Sequence, residues 1–150
     1  MRRTALLPTW AESPSDVVEE PPSAYAAVTH KHGYRHVRFS GATAREPDEV
    51  AGQVRVVLER RQRALADLGG GLEDVVMSRY FVLDDHLSRE TQARVHEVRD
   101  ELFDPPNVPA STMIGIASLF GDALVEVELE AEIPDDRWET DVLTERDAER

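Results

Sequence analysis

Cysteine is absent from the 150-residue chain, which excludes disulfides, thiolate nucleophiles and cysteine-held metals together and points to a cytoplasmic protein. Lysine is almost absent too. Lys31 is the only one, and lysine and arginine together number 17 against 30 aspartates and glutamates. The net charge of −13 makes binding to a phosphate backbone unfavourable, and the arginines are spread along the chain, so no nucleic-acid partner is expected. No apolar run approaches the roughly 20 residues needed to span a bilayer, so no membrane partner is expected either. The amino-terminal stretch MRRTALLPTWAESPSD has two arginines but too short an apolar core before Pro8 for a secretory signal. An acidic, lysine-poor surface stays hydrated in concentrated salt, where self-repulsion is screened over about 3 Å at 1 M. That suggests a salt-loving source, although a GC-rich coding sequence also favours arginine over lysine.

What is present is enough for one domain. Hydrophobic residues make up 41% of the chain, too many for a wholly disordered one. The pattern divides it into an amino-terminal arm over residues 1–22, a domain over 23–134 and an acidic tail over 135–150. The arm is rich in Pro, Ser and Glu and is expected to be loose, docking through Trp10. From Tyr25 the pattern becomes extended on both sides of Gly33, which reads as a β-hairpin. His30 and His32 lie two apart on it, the spacing of a metal pair. No third ligand is near, so an ordinary polar face is the preferred reading.

Ser40 and Gly41 end that hairpin. Gly41 either opens amide N–H groups to a ligand or is a plain turn glycine. Pro47, Asp48 and Glu49 then introduce a helix whose Val50, Val54, Val57, Leu58, Leu65 and Leu68 form one apolar stripe, stopped by Gly69-Gly70-Gly71. Arg55, Arg60, Arg61 and Arg63 read as its solvated face, interleaved with Glu59, and not as an anion site. Residues 74–83, DVVMSRYFVL, predict a central strand interrupted by Arg79, and an arginine there needs a carboxylate or a ligand because an unpaired buried charge costs several kcal/mol. A second helix follows, capped by Asp85 or Ser88 and carrying Val95, Val98, Leu102 and Phe103, and it ends before Pro105-Pro106.

The chain is organised around residues 109–134, PASTMIGIASLFGDALVEVELEAEIP. Two β-branched segments flank Phe120-Gly121-Asp122, which predicts a second hairpin. In its last strand Val125, Val127 and Leu129 alternate with Glu126, Glu128 and Glu130, placing an apolar row on the core and carboxylates on the opposite face. Those carboxylates form a solvated face, or one of them lines a cleft; spacing alone does not choose. The order of elements gives an α+β fold, a mixed β-sheet with two helices packed on one face. The uncovered face is then most economically buried by another copy of the chain.

The combination of FSGATA at 39–44, Gln53, LEDVVMSRYFVLDD at 72–85, PAST at 109–112 and LVEVELEA at 124–131 resembles the YjgF/RidA (reactive intermediate deaminase) family. The resemblance covers about residues 25–133. It implies a chorismate-mutase-like homotrimer with a small-molecule cleft at each subunit interface, and no metal or organic cofactor. In deaminase members an arginine after the Pro-Ala grips a substrate carboxylate, and a glutamate on the last strand positions the attacking water. Here the first position is Ser111 and the second is Glu126, so the resemblance is to an arginine-lacking branch. It makes Glu126 the candidate catalytic residue, with Tyr25, Ser40, Gly41, Arg79, Ser111, Thr112 and Met113 as substrate contacts. A hydroxyl for a guanidinium removes the fork that recognises carboxylate. Two functions stay open: binding, with hydrolysis, of a small imine, enamine or carbonyl compound, or a non-catalytic binding or regulatory trimer. Endoribonuclease and chorismate-mutase-like activities, known for relatives or on a similar architecture, fit poorly with the charge of −13 and the missing cation.

Overall fold

The computed structural model describes residues 3–6 and 24–139. Strands β1 (Arg3–Leu6), β2 (Ala26–His30), β3 (Tyr34–Phe39) and β4 (Ala42–Thr43) precede helix α1 (Val50–Asp67). Strand β5 (Val75–Leu83), helix α2 (Arg89–Phe103), β6 (Ala110–Ile116) and β7 (Val125–Pro134) complete the chain order. The strands form one mixed sheet in the order β1-β2-β3-β7-β5-β6, with β4 also paired to β7. The α+β architecture with both helices on one sheet face is as the sequence predicts. Its apolar layer joins Val54, Val57, Leu58 and Leu65 of α1 and Val95, Val98 and Phe103 of α2 to Val125, Val127, Leu129, Ala131 and Ile133 of β7. The alternation along β7 is strict: every second residue is buried, and Glu126, Glu128, Glu130 and Glu132 emerge on the open face.

The β2–β3 hairpin forms as expected, with Gly33 at φ 88° in its turn, a backbone angle that glycine adopts without the steric cost a Cβ would bring. His32, however, lies in that turn beyond the end of β2, so His30 and His32 do not share a strand face. Ser88 caps α2, its side chain accepting a hydrogen bond from Thr91 N at 3.0 Å.

Two expectations are corrected. The segments around Phe120-Gly121-Asp122 are not a hairpin, because β5 lies between them, parallel to β6 and antiparallel to β7. Gly121 does turn the chain, at φ 74°, but residues 117–124 carry it past the end of β5. The physical reason is that β5 places Val75, Ser78, Tyr80 and Val82 in the core and has few groups suited to an edge, so both of its backbone edges are paired. The second correction concerns the arm. Arg3–Leu6 is a strand paired antiparallel with β2, which satisfies an edge that would otherwise present unpaired N–H and C=O groups. Trp10 and the rest of the arm, and the tail from residue 140, lie outside the described residues. No helix among the described residues is long and apolar enough to cross a membrane.

Candidate functional site

The segment between β3 and α1 is fixed by hydrogen bonds near both of its ends. Ser40 N donates to the Tyr25 carbonyl at 2.9 Å, and Ser40 Oγ donates to the Ala24 carbonyl at 2.6 Å. Gln53 of α1, fully buried, donates through Nε2 to the Pro47 carbonyl and accepts from Leu124 N, both at 2.9 Å. It therefore ties the helix start to the entry of β7, the strand that carries Glu126. Register completes the placement, since Thr43 stands opposite Glu126 and Ala42 opposite Val127.

Gly41 sits in closest approach to the candidate catalytic residue. A β-carbon built on it would fall 2.8 Å from Glu126 Cδ and 2.9 Å from Cγ, so the carboxylate occupies the space that any other residue would fill. Glu126 also lines a hollow of about 510 Å³ with Phe81, Ile116, Ser118, Leu119, Phe120 and Glu128. Arg79, Ser40 and Gly41 border a second hollow on the same sheet, and Tyr25, Ser40 and Gly41 line a third. Glu128 is common to the first two hollows and Ser40 and Gly41 to the last two, so Glu126, Arg79, Ser40 and Gly41 adjoin one another, whereas Tyr25 lies only in the third, beside α1.

The three candidates on β6 are not gathered there. Paired strand residues share a face, and Ser111 stands opposite Ser78, Thr112 opposite Arg79 and Met113 opposite Tyr80. Ser111 and Met113 therefore lie on the helix side of the sheet, Met113 packed partly against the core, whereas Thr112 is on the open side with Arg79. Within one chain Ser111 and Glu126 emerge on opposite faces.

Arg79 finds carboxylates, as a charge within a strand requires: Nη2 is 2.8 Å from Glu130 Oε2 and Nη1 3.5 Å from Glu128 Oε2. Glu130 also accepts from Arg38 Nε at 3.1 Å and lies 3.0 Å from His36 Nε2. Burial pushes the Glu130 pKa up, but the hydrogen bonds from His36, Arg79 and Arg38 outweigh it and hold the carboxyl down at about 2.

One residue was misread from sequence. Arg61, assigned to a solvated face, is buried at 4% exposure. Its guanidinium lies 4.5 Å from the Tyr25 ring centroid and 4.8 Å from that of Phe39, and Nη2 donates to the Ser40 carbonyl at 2.9 Å. A signal was there: positions 54, 58, 61 and 65 follow helical spacing, so Arg61 falls on the apolar stripe. Among the described residues no group of three or more His, Asp or Glu is arranged to hold a metal ion.

A family model described as endoribonuclease L-PSP matches residues 19–133. Among solved structures, a Mycobacterium tuberculosis protein described as a member of the highly conserved YjgF/YER057c/UK114 family is 27% identical, covering 88% of this chain and 100% of its own, with a TM-score of 0.66. A Yersinia pestis protein described as of unknown function in the conserved Rid protein family is 19% identical, covering 88% and 100%, at a TM-score of 0.67. A Thermotoga maritima protein described as a putative endoribonuclease is 24% identical, covering 75% and 87%, at 0.60. At those identities the last two establish the fold alone. No curated protein matches the chain.

Proposed function

The chain belongs to the endoribonuclease L-PSP family, the YjgF/RidA family, and from that premise we propose that it binds a small imine, enamine or carbonyl compound in a cleft between copies of itself and, where the ligand is an imine or an enamine that tautomerises to one, hydrolyses its C=N bond. The observation that carries the reading is the Glu126 carboxylate lying against the backbone of Gly41. Hydrolysis of a C=N bond needs water to add to carbon and a proton to reach nitrogen, after which the C–N bond breaks to give the carbonyl product and ammonia. A carboxylate beside a backbone wall is suited to take the proton from water and pass it to nitrogen. Family proteins are typically trimers. A homotrimer here has support in the uncovered sheet face, where Ile114 is 44% exposed, and in the opposite facing of Ser111 and Glu126, which meet only if they come from different copies.

The branch proposed is the arginine-lacking one, with Ser111 at the carboxylate-gripping position. That substitution also favours a second reading, a trimer that binds a small molecule without turning it over, because a hydroxyl does not replace a bidentate guanidinium. The test uses enzymatically generated 2-aminoacrylate and a panel of neutral imines. Wild type should accelerate pyruvate formation little, and Ser111→Arg should regain at most one or two decades, since one charge-assisted pair contributes roughly 1.5–3 kcal/mol. Adding Glu126→Gln should abolish that gain, because an amide is not a base at neutral pH. Robust 2-aminoacrylate turnover by wild type refutes the role given to Ser111. A rate undiminished by Glu126→Gln refutes the role given to Glu126. No turnover of any imine on the panel leaves the binding reading.

A further inference from the structure

The surface of this acidic chain contains a concentrated patch of positive charge. Between α1 and the Ser40–Thr43 segment lies a cleft of about 630 Å³, lined by Arg60, Arg61 and Arg63 together with Tyr25, Ser40 and Thr43. Asp67 is the acidic side chain in the lining, so the cleft carries three cationic groups against one anionic in a chain of net charge −13. Two of the guanidinium groups are held in place by backbone carbonyls: Arg60 Nη1 donates to Thr43 O at 3.1 Å, and Arg61 Nη2 to Ser40 O at 2.9 Å. Each guanidinium has five N–H donors, so one such bond orients the fork and leaves others for a ligand.

Arg61 is the unusual member. It is buried against Tyr25 and Phe39, and its Nε has no hydrogen-bond partner among the described residues. Burying a guanidinium without a carboxylate is costly, and placing Arg60 next to it adds like-charge repulsion. Its pKa is lowered, chiefly by burial and further by Arg60, with Tyr25 opposing. An anion in the cleft relieves both costs at once.

We propose that the cleft between α1 and residues 40–43 is a binding site for a compact oxyanion, the carboxylate or phosphate group of a small metabolite, gripped by Arg60 and Arg63 above the buried Arg61. This goes beyond the imine chemistry assigned to Glu126 and does not depend on it, because binding here requires no turnover. Carboxylate and phosphate share the planar or tetrahedral oxygen geometry that a guanidinium fork matches.

The experiment is isothermal titration of the full chain with malonate and, separately, with inorganic phosphate, at ionic strength held constant with sodium chloride. The expected dissociation constant is on the order of 1 mM for at least one of them. Arg60→Gln combined with Arg63→Gln should weaken it tenfold or more, and both positions are exposed, so the fold should persist. Arg61→Met, checked for folding by circular dichroism, should also weaken it. Binding of malonate alone identifies a carboxylate site, phosphate alone a phosphate site, and both a general oxyanion site. No heat beyond the chloride control, or an affinity unchanged in the Arg60→Gln, Arg63→Gln double variant, overturns the proposal.

Discussion

Replacing Glu130 with glutamine tests how the open face of the sheet is held together. The carboxylate receives Arg79 at 2.8 Å, Arg38 at 3.1 Å and His36 at 3.0 Å, and its pKa is held at about 2 against an ordinary 4.5. Because the folded-state value is the depressed one, the unfolded chain binds more protons between these limits, and stability rises with pH there. The contribution is fully present above about pH 4.5 and is lost as pH falls through 2. At roughly 1.4 kcal/mol per pH unit the full shift would correspond to about 3 kcal/mol, and solvent screening on a partly exposed face brings it to about 1–2 kcal/mol. Urea unfolding of wild type and Glu130→Gln, at fixed protein concentration so that any assembly contributes equally, measures the difference at each pH. The variant should be less stable by about 1–2 kcal/mol at pH 7, and the gap should close between pH 4.5 and 2. A gap that stays constant across that window would refute the assignment, since a pH-independent loss is one of packing or shape.

Gly41→Ala places a methyl group where the Glu126 carboxylate lies, and because that carboxylate is the end of a flexible side chain it should swing away. A crystal structure of the variant should show Glu126 displaced while urea unfolding changes by less than about 1 kcal/mol; an unmoved Glu126 would contradict the close approach. Sedimentation in high and low salt should find a homotrimer that weakens at low ionic strength as acidic self-repulsion grows. A folded monomer under both conditions would remove the basis for an intersubunit cleft, and a salt-independent thermal midpoint would count against the salt-loving source.

Periodicity made most of the fold readable. The two helices, the β2–β3 hairpin, the central place of β5 and the alternation of β7 all follow from local patterns of period 3.6 or 2, which a single sequence displays. What periodicity does not carry is which strands are neighbours. The Phe120-Gly121-Asp122 turn is real, yet β6 and β7 are separated by β5, because pairing depends on the demand of a buried strand for two partners. That demand is a property of the whole sheet. The same reason hid the role of Arg3–Leu6, a segment with no strand pattern of its own that is extended because β2 has an open edge.

The site was legible to a lesser degree, and Arg79 and Arg61 illustrate why. For Arg79 the sequence posed a problem, a charge in a strand, and left two solutions, carboxylate or ligand; the alternating glutamates of β7 fall in register with it and supply the first. Arg61 posed the same problem on a helix, but its place between Glu59-Arg60 and Gln62-Arg63 made it look like one more solvated arginine. Its phase on the apolar stripe was the only warning. The two solutions have different consequences for binding. A strand arginine satisfied by Glu128 and Glu130 has little left to offer a ligand, whereas a buried helix arginine held by two aromatic faces and one carbonyl retains unpaired donor capacity. Of these two arginines, the half-exposed one answered within the sheet gives stability that varies with pH, and the buried one left without a carboxylate beside α1 is where an anion would be held.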